Sequence, residues 1–303
     1  KAHLKLGDIL YELGKTDEAY ISEWEGIKKD PSYEHLNYYR KQATLIKKTA
    51  FYIHSFTVFN HFKPILETDP NAFELLVDKK IDKEIISKIQ QDLHTKDIVI
   101  RSTKELLDNR LIYDKLVSNH AAMNIPLTIV KNEKQLKVNV PIIKLLGKRN
   151  IGLMYSAGVL KLVLSHWNKH YIGVLCYGPY HEKRYQVKHK IPTAQIGYPR
   201  FDRYFNTGFD RNQLMEKFKC DAKKKTIVWL PTYTDLCSIE MYAKAISSLS
   251  SDYNIVVRPH PLMKEDDPKN HKKLFTLDFN YVDDSEDDNL PLYALADLMI
   301  FDY

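Results

Sequence analysis

Short apolar runs alternate with amphipathic stretches along the chain from residue 50 onward. The runs are rich in β-branched and aromatic residues, as buried strands are, and the stretches between them repeat apolar residues at helical spacing. Such alternation predicts an α/β fold in which helices flank a parallel sheet. The predicted strands are Phe51–Phe59, Phe73–Val77, Ile98–Ile100, Leu127–Val130, Ile151–Tyr155, Ile172–Cys176, Thr226–Leu230, Tyr253–Val257 and Asp297–Asp302.

A polar, charged stretch at residues 208–225 interrupts this series, and a second strand–helix series follows it. The pattern therefore predicts two Rossmann-like domains, at residues 50–207 and 208–303, with a ligand site in the cleft that they face. In the first domain, the amphipathic stretches predict helices at Lys83–Leu93 and Lys104–His120.

Residues 1–49 are predicted to form an N-terminal α-helical segment, which ends in a connecting helix over residues 33–49. Its first part predicts two helices that resemble one tetratricopeptide (TPR) repeat, and a plain helical hairpin is the alternative. A single repeat needs neighbours to bury its faces, so we expect the last repeat of an array, which would offer a surface to a protein partner. The matching positions are Leu6, Gly7, Leu10, Gly14, Ala19 and Pro31.

Composition narrows the classes of function. With 44% hydrophobic and 28% charged residues, the chain is typical of soluble globular proteins, and it contains no apolar run long enough to cross a membrane. A net charge of +6 permits an anionic ligand or a membrane surface. No RNA-binding motif is present, so we expect no nucleic-acid partner.

Three cysteines lack the spacing of metal ligands and suit a reducing compartment, so we expect no metal site and a cytoplasmic protein, with peripheral association at the inner face of the membrane as an option. The chain opens with Lys1 rather than Met and stops after an apolar strand. We therefore expect both ends, and the second domain with them, to be truncated.

The stretch from Asn254 to Pro261 joins a buried strand to a rigid turn. Its β-branched residues favour a sheet interior, and two prolines stop the strand, so Arg258 and His260 are presented at its carboxyl end. In open α/β sheets ligands bind at that edge, and a guanidinium beside an imidazole suits a phosphate. The alternative is a turn whose histidine caps a local group.

A second turn follows Gly197. The sequence Gly197-Tyr-Pro places Arg200 and Asp202 close together, near the predicted cleft with Tyr198. The alternative is a structural turn that carries a local Arg–Asp pair.

Four motifs in order resemble the CDP-glycerol glycerophosphotransferase family, which polymerises teichoic acids and related bacterial capsules. The resemblance covers about residues 150–303. Each motif is weak alone, whereas four in the right order are fairly specific. They are Gly197-Tyr-Pro-Arg-Phe-Asp202, Trp229-Leu-Pro-Thr232, Arg258-Pro-His-Pro261 and the segment from Leu292 to Tyr303.

The resemblance implies the GT-B architecture, in which two Rossmann-like domains face a cleft, and the transfer of an alditol phosphate from CDP-glycerol or CDP-ribitol with release of CMP. It implies no other cofactor, and an anionic glycan or polyol-phosphate polymer as the acceptor. His260 would bind the diphosphate, and Arg258 would orient the turn or add charge. The remaining donor-side positions would be Pro231, Thr232 and Asp302, and those on the acceptor side or in the cleft Lys161, Tyr198, Arg200 and Asp202.

The family's general base is a histidine followed by glycine and, soon after, by lysine. Here Gly158 and Lys161 match, but Ala157 stands where the histidine is expected, and alanine cannot accept a proton. The matching neighbours favour a deliberate replacement of histidine by alanine. The open alternatives are natural loss of the base and its replacement by His166, His170 or His181.

Two other functions fit the same pattern. One is a nucleotide-sugar glycosyltransferase of the GT-B fold, which would transfer a sugar instead of an alditol phosphate. The other is a non-catalytic scaffold, which a natural alanine at position 157 would favour.

Overall fold

The computed structural model describes residues 40, 42–78, 81, 83–93, 98–119, 124–131, 134–154, 165–206, 208–285 and 287–302. The chain divides into two compact units, Lys1–Arg200 and Phe201–Tyr303, close to the boundary predicted at residues 207 and 208. The TPR-like hairpin predicted within residues 1–39 lies outside the described residues.

The first unit contains an α/β series with an antiparallel hairpin inside it. The hairpin pairs Asn124–Lys131 with Lys134–Pro141 as a separate two-stranded sheet. In chain order the elements are β1 (Thr44–Ile53), α1 (Phe56–Leu66), β2 (Phe73–Val77), α2 (Lys83–Asp92), β3 (Ile100–Ser102), α3 (Thr103–Asp108), β4 (Leu111–Ser118), β5 (Asn124–Lys131), β6 (Lys134–Pro141), α4 (Ile142–Leu146), β7 (Gly147–Leu153), β8 (Gly173–Cys176), α5 (Pro179–His189) and β9 (Thr193–Gln195).

The main sheet of the first unit has seven strands in the order β3-β2-β1-β4-β7-β8-β9. Every neighbouring pair is parallel. This is the doubly wound order, in which the chain moves outward from β1 in one direction and then from β4 in the other. The topological switch point, where ligands bind in such sheets, therefore lies between the carboxyl ends of β1 and β4.

The core of the first unit lies on both faces of this sheet. Successive residues of β1 alternate between two apolar clusters: Ala50 and Tyr52 belong to one, and Phe51 and Ile53 to the other. Helix α1 covers the second cluster, and α4 packs within the first. A strand that is apolar on both sides is characteristic of a parallel sheet covered by helices, which confirms the predicted α/β class.

Three local predictions in the first unit were wrong. Residues 44–49 belong to β1 instead of a connecting helix. The apolar run Phe51–Phe59 divides at Ser55, whose hydroxyl accepts a hydrogen bond from the Val58 backbone and so caps α1. The helix predicted at Lys104–His120 is the short α3 followed by β4, because the chain turns at Arg110, which has a positive φ of 51°.

The second unit is a smaller α/β series, and its sheet has the order β12-β11-β10-β13 with parallel neighbours throughout. Its switch point lies between the carboxyl ends of β10 and β13. The elements are α6 (Asp202–Asn206), α7 (Arg211–Lys217), β10 (Thr226–Leu230), α8 (Ile239–Ser247), β11 (Asn254–Val257), α9 (Met263–Asp266), α10 (Pro268–Leu274), β12 (Tyr281–Val282), α11 (Leu290–Leu295) and β13 (Leu298–Phe301).

The described part of the chain also contains 3₁₀ turns at His166–His170, Pro199–Phe201, Thr234–Leu236 and Ser248–Ser251. Among the described residues, no helix has both the length and the apolar character needed to span a membrane.

A buried carboxylate joins three elements of the first unit. Glu74 on β2 accepts hydrogen bonds from the Tyr113 hydroxyl (2.7 Å) and from Arg101 Nε (3.2 Å). Arg101 also donates to Glu105 on α3 at 2.7 Å. Because Tyr113 is fully buried, its hydroxyl depends on Glu74 for a partner.

We expect Glu74→Ala to lower the free energy of unfolding of the first unit by about 3 kcal/mol, because it leaves the Tyr113 hydroxyl buried without a partner. Tyr113→Phe removes one hydrogen bond and should cost about 1 kcal/mol. Lys104→Ala breaks only the exposed Lys104–Asp108 pair and should cost less than about 0.5 kcal/mol. Native-state hydrogen exchange of β1 and β2 measures the stability of all three variants. Equal losses in Glu74→Ala and Tyr113→Phe would contradict the prediction.

Candidate functional site

The predicted donor-side residues of the second unit follow the carboxyl ends of neighbouring parallel strands. Pro231 and Thr232 follow β10, Arg258 and His260 follow β11, and Asp302 follows β13. Parallel pairing brings these ends to one edge of the sheet. The structure therefore gathers all five predicted residues at the edge where ligands bind in such folds.

The Asp302 carboxylate binds the loop that follows β10. It accepts hydrogen bonds from the backbone N–H groups of Thr232 (2.9 Å) and Ser238 (3.1 Å), and also from the Ser238 hydroxyl. Ser238 is the N-cap residue of α8, so the carboxylate also lies at the positive end of that helix. An ionised carboxylate accepts hydrogen bonds and repels phosphate, and we infer that Asp302 contributes to the site by fixing this loop.

The loop between these two anchors contains a strained residue. Thr234 has a φ of 60°, a left-handed conformation that β-branched residues rarely adopt. Such strain costs on the order of 1–3 kcal/mol and persists where the surroundings impose it. Here Asp302 holds the backbone on both sides, at Thr232 and at Ser238.

His260 is oriented by its own turn. Its Nδ1 accepts a hydrogen bond from the Leu262 backbone at 3.1 Å, and its ring lies 4.5 Å from that of Tyr233. Partial burial lowers the pKa of His260 below its ordinary value of 6.5, although Asp266 opposes the shift. Near neutral pH the imidazole is therefore neutral with its proton on Nε2, which makes Nε2–H a hydrogen-bond donor for an anionic ligand.

Arg258 is buried, and its hydrogen bonds extend along the loop after β12. Its Nε donates to Asp283 at 3.1 Å, and Nη1 donates to the Asp287 carbonyl and to Asn289 Oδ1, both at 2.7 Å. Arg258 and Asp283 form a close ion pair in which each side chain is about 5% exposed. The acidic run that begins at Asp283 is therefore not wholly exposed to solvent. The contacts favour the orienting role of Arg258 over direct phosphate binding.

In the first unit, the predicted residues Tyr198 and Arg200 belong to a ring cluster at the carboxyl edge of the sheet. Tyr198 stacks on Tyr177 with ring centroids 4.0 Å apart, and on His61 at 6.4 Å. Arg200 Nη1 lies 3.4 Å from His61 Nε2. Tyr177 follows β8 and donates its hydroxyl proton to the Met154 carbonyl, directly after β7, at 2.7 Å.

The other predicted residues of the acceptor side are placed differently. Ala157, Gly158 and Lys161 lie outside the described residues, so the predicted base position stays a prediction. Asp202 is exposed and begins α6 in the second unit.

The three histidines considered as a substitute base are distinguished by position. The side chain of His166 is outside the described part of the structure. His170 precedes β8 at the opposite, amino edge of the sheet, and its pKa is lowered to about 3 by burial and by the cations of Lys144 and Lys169. His181 lies in the first turn of α5 at the carboxyl edge, with its ring 5.9 Å from that of Tyr177. His181 is therefore the better placed of the two described.

Three residues at or near the carboxyl edges of the two sheets were not predicted from the sequence. Ser238 had a local signal, since a serine directly before an amphipathic helix is a typical N-cap. Tyr177 stood in a Tyr-Gly-Pro turn, but nothing in the sequence connected it to Tyr198. His61 lies inside the apolar helix α1, where its neighbours gave no indication of a site.

A family model described as CDP-Glycerol:Poly(glycerophosphate) glycerophosphotransferase matches residues 158–303, which is just under half of the chain. The match begins at Gly158 and covers every described residue of the second unit. No curated protein is significantly similar to the chain in sequence.

Solved structures give a second comparison. The wall teichoic acid polymerase TagF with CDPG is similar at a TM-score of 0.52 and 15% identity, over 89% of this chain and 69% of that one. S. aureus MnaA with UDP gives a TM-score of 0.49 and 9% identity, over 85% and 74% of the two chains. UDP-GlcNAc 2-epimerase from Neisseria meningitidis gives a TM-score of 0.46 and 10% identity, over 84% of this chain and 77% of that one. The likeness to TagF supports an α/β fold similar to that of GT-B glycosyltransferases.

We expect Arg258→Met to lower the free energy of unfolding of the second unit by about 3–5 kcal/mol, because it leaves Asp283 buried without its partner. Replacing both residues, as Arg258→Met with Asp283→Leu, should recover at least half of that loss. Hydrogen exchange of β10 and β11 measures both variants. A double variant as unstable as the single one would show that the ion pair is not the source of the effect.

We also expect His260 to make the stability of the second unit depend on pH. Because its pKa is lower in the folded than in the unfolded state, the unfolded chain binds the proton first as the pH falls through 6.5. The free energy of unfolding should therefore decrease from about pH 7 to about pH 5, and less so in His260→Gln. Urea unfolding of both proteins across this range tests it, and identical pH profiles would contradict the assignment.

Proposed function

We propose that the chain transfers glycerol phosphate from CDP-glycerol to a hydroxyl of a growing polyol-phosphate polymer and releases CMP. The family match supports polymer synthesis of the CDP-glycerol phosphotransferase type, and the likeness to TagF supports the fold that such a reaction uses. Ribitol phosphate is the alternative alditol, and a capsule glycan is the alternative acceptor.

One observation carries the proposal. The residues matched by the family model include the loops after β10 and β11 and also Asp302, which follows β13, and these meet at the carboxyl edge of the second unit's sheet. That edge holds a neutral histidine with an available donor, flanked by a loop that is fixed at both ends. Such an edge suits the diphosphate of a nucleotide-activated donor.

The reaction breaks one P–O bond and forms another. The acceptor oxygen attacks the phosphorus that carries glycerol, the bond from that phosphorus to the CMP oxygen breaks, and the acceptor hydroxyl loses its proton. Negative charge on the phosphoryl and leaving oxygens must be stabilised by fixed donors during the transfer. The protein therefore needs a donor clamp and a proton acceptor.

His260 would supply part of the clamp. Its Nε2–H would donate to a diphosphate oxygen, while the Leu262 N–H bond to Nδ1 keeps the ring in the correct tautomer. The loop at Pro231 and Thr232 would lie beside the nucleotide, with Asp302 holding its shape. Arg258 would act indirectly, because its contacts fix the turn that carries His260.

The ring cluster of the first unit would contact the acceptor. The stacked pair of Tyr177 and Tyr198 presents an aromatic surface, and Arg200 adds a cation beside it. A polyol-phosphate chain offers carbon-bound hydrogens to the rings and phosphates to the cation. The proton acceptor would be a histidine at position 157, or His181 where position 157 is alanine.

We expect Ala157→His to raise the rate of CMP release from CDP-glycerol by about 100-fold or more, which is the lower range for a positioned general base. CMP release should be measured with CDP-glycerol, CDP-ribitol and UDP-GlcNAc, each with a short poly(glycerol phosphate) acceptor. Ala157→Gln is the matched control, because it adds comparable volume without a basic nitrogen.

The outcomes separate the possible functions. No release from either CDP-alditol by any variant, together with turnover of UDP-GlcNAc, would replace the proposal with a glycosyltransferase. Residual release by the unchanged chain that disappears in His181→Gln would identify His181 as the substitute base.

A further inference from the structure

Asn119 occupies the switch point of the first unit. It directly follows β4, whose parallel neighbour on one side is β1, so it lies where the strand order reverses. Its side chain is 1% exposed. Neither Oδ1 nor Nδ2 has a hydrogen-bond partner within the part of the chain that the structure describes.

The neighbouring polar side chains each have at least one partner, which sets Asn119 apart. Ser118 Oγ lies 3.0 Å from the Tyr171 hydroxyl. Asn150, an equally buried asparagine on β7, donates from Nδ2 to the Gly147 carbonyl at 3.1 Å, although its Oδ1 lacks a partner among the described residues. A buried amide that lacks both kinds of partner is unfavourable in the folded protein, and such groups in native structures call for a bound partner or a functional reason.

The chemistry of the amide indicates what it would bind. Asn119 presents one acceptor and one donor group together, and a hydroxyl uses both, because it donates one hydrogen bond and accepts others. A phosphate uses donors alone. The first βα turn at this switch point, His54-Ser55, has no glycine-rich phosphate cradle, and Ser55 already caps the N-terminus of α1. The position therefore suits a hydroxyl better than a phosphate.

We propose that Asn119 is a specificity-determining residue that binds a hydroxyl of the polyol acceptor at the β1/β4 switch point. This inference rests on the proposed function, since it assigns the acceptor of that transfer to a polyol rather than to a less hydroxylated chain. It differs from the ring cluster in chemistry, because the rings and Arg200 address carbon-bound hydrogens and phosphates.

The test is Asn119→Leu, which keeps the shape of the side chain and removes both polar groups. Isothermal titration with short poly(glycerol phosphate) should show at least a tenfold loss of affinity, while the melting temperature stays equal or rises because an unpartnered amide has been removed. Asn119→Asp keeps the acceptor oxygens but loses the donor and adds a negative charge, so it should bind the anionic polymer no better than Asn119→Leu.

Asn150→Leu is the matched control. It removes an amide of the same size and burial that is hydrogen-bonded within the fold, so we expect a lower melting temperature and unchanged polymer affinity. Inorganic phosphate, as a second probe, should bind the unchanged chain and Asn119→Leu equally.

The outcomes distinguish this inference from the proposed function. Polymer affinity that falls only in the Asn119 variants supports the inference, even if CDP-glycerol is not turned over. Equal affinity in Asn119→Leu, or no polymer binding by the unchanged chain, overturns it, even if CMP release proceeds.

Discussion

In both units, parallel strands are covered by apolar side chains on both faces, so a polar group within a strand needs a partner, as Glu74 on β2 has in Tyr113. In β1 the alternating residues enter one apolar cluster or the other, and in the second unit Ile227 and Val228 on β10 do the same. A charged group placed within such a strand would lose its hydration without a partner. The candidate binding residues Thr232, His260 and Asn119 each stand just beyond a strand end.

The second unit uses buried charge to fix geometry. Arg258 and Asp283 form an ion pair that gains little net stability, because both groups lose their hydration. The pair instead restricts geometry. Because the planar guanidinium can pair with a carboxylate in few orientations, it fixes the end of β11 relative to the loop after β12. Asp302 does the same for the loop after β10, including the strained Thr234, and the two anchors leave His260 between fixed neighbours.

In the second unit, β10 and β11 were predicted well from the sequence because they are short, rich in β-branched residues and closely followed by prolines. Thr226–Leu230 was predicted with its observed bounds, and β11 and β13 within one residue at each end, whereas the two-residue β12 was not predicted. The first unit was harder where helical and strand periodicity coincide: residues 104–120 repeat apolar positions that fit either, and only the turn at Arg110 separates α3 from β4. Arg258 pairs with Asp283, and Tyr177 with Tyr198, through tertiary contacts. No local sequence pattern indicates which distant segment each of these residues contacts.

The order of strands in the first unit has a consequence for its synthesis. Of the strands in this sheet, β1 leaves the ribosome first, but one of its two partners, β4, emerges only after β2, α2, β3 and α3. During that interval one edge of β1 exposes unpaired backbone groups beside apolar side chains, the combination that promotes aggregation. Chaperone occupancy on the nascent chain should therefore be highest between the emergence of β1 and that of β4. It should decline once β4 has paired with β1.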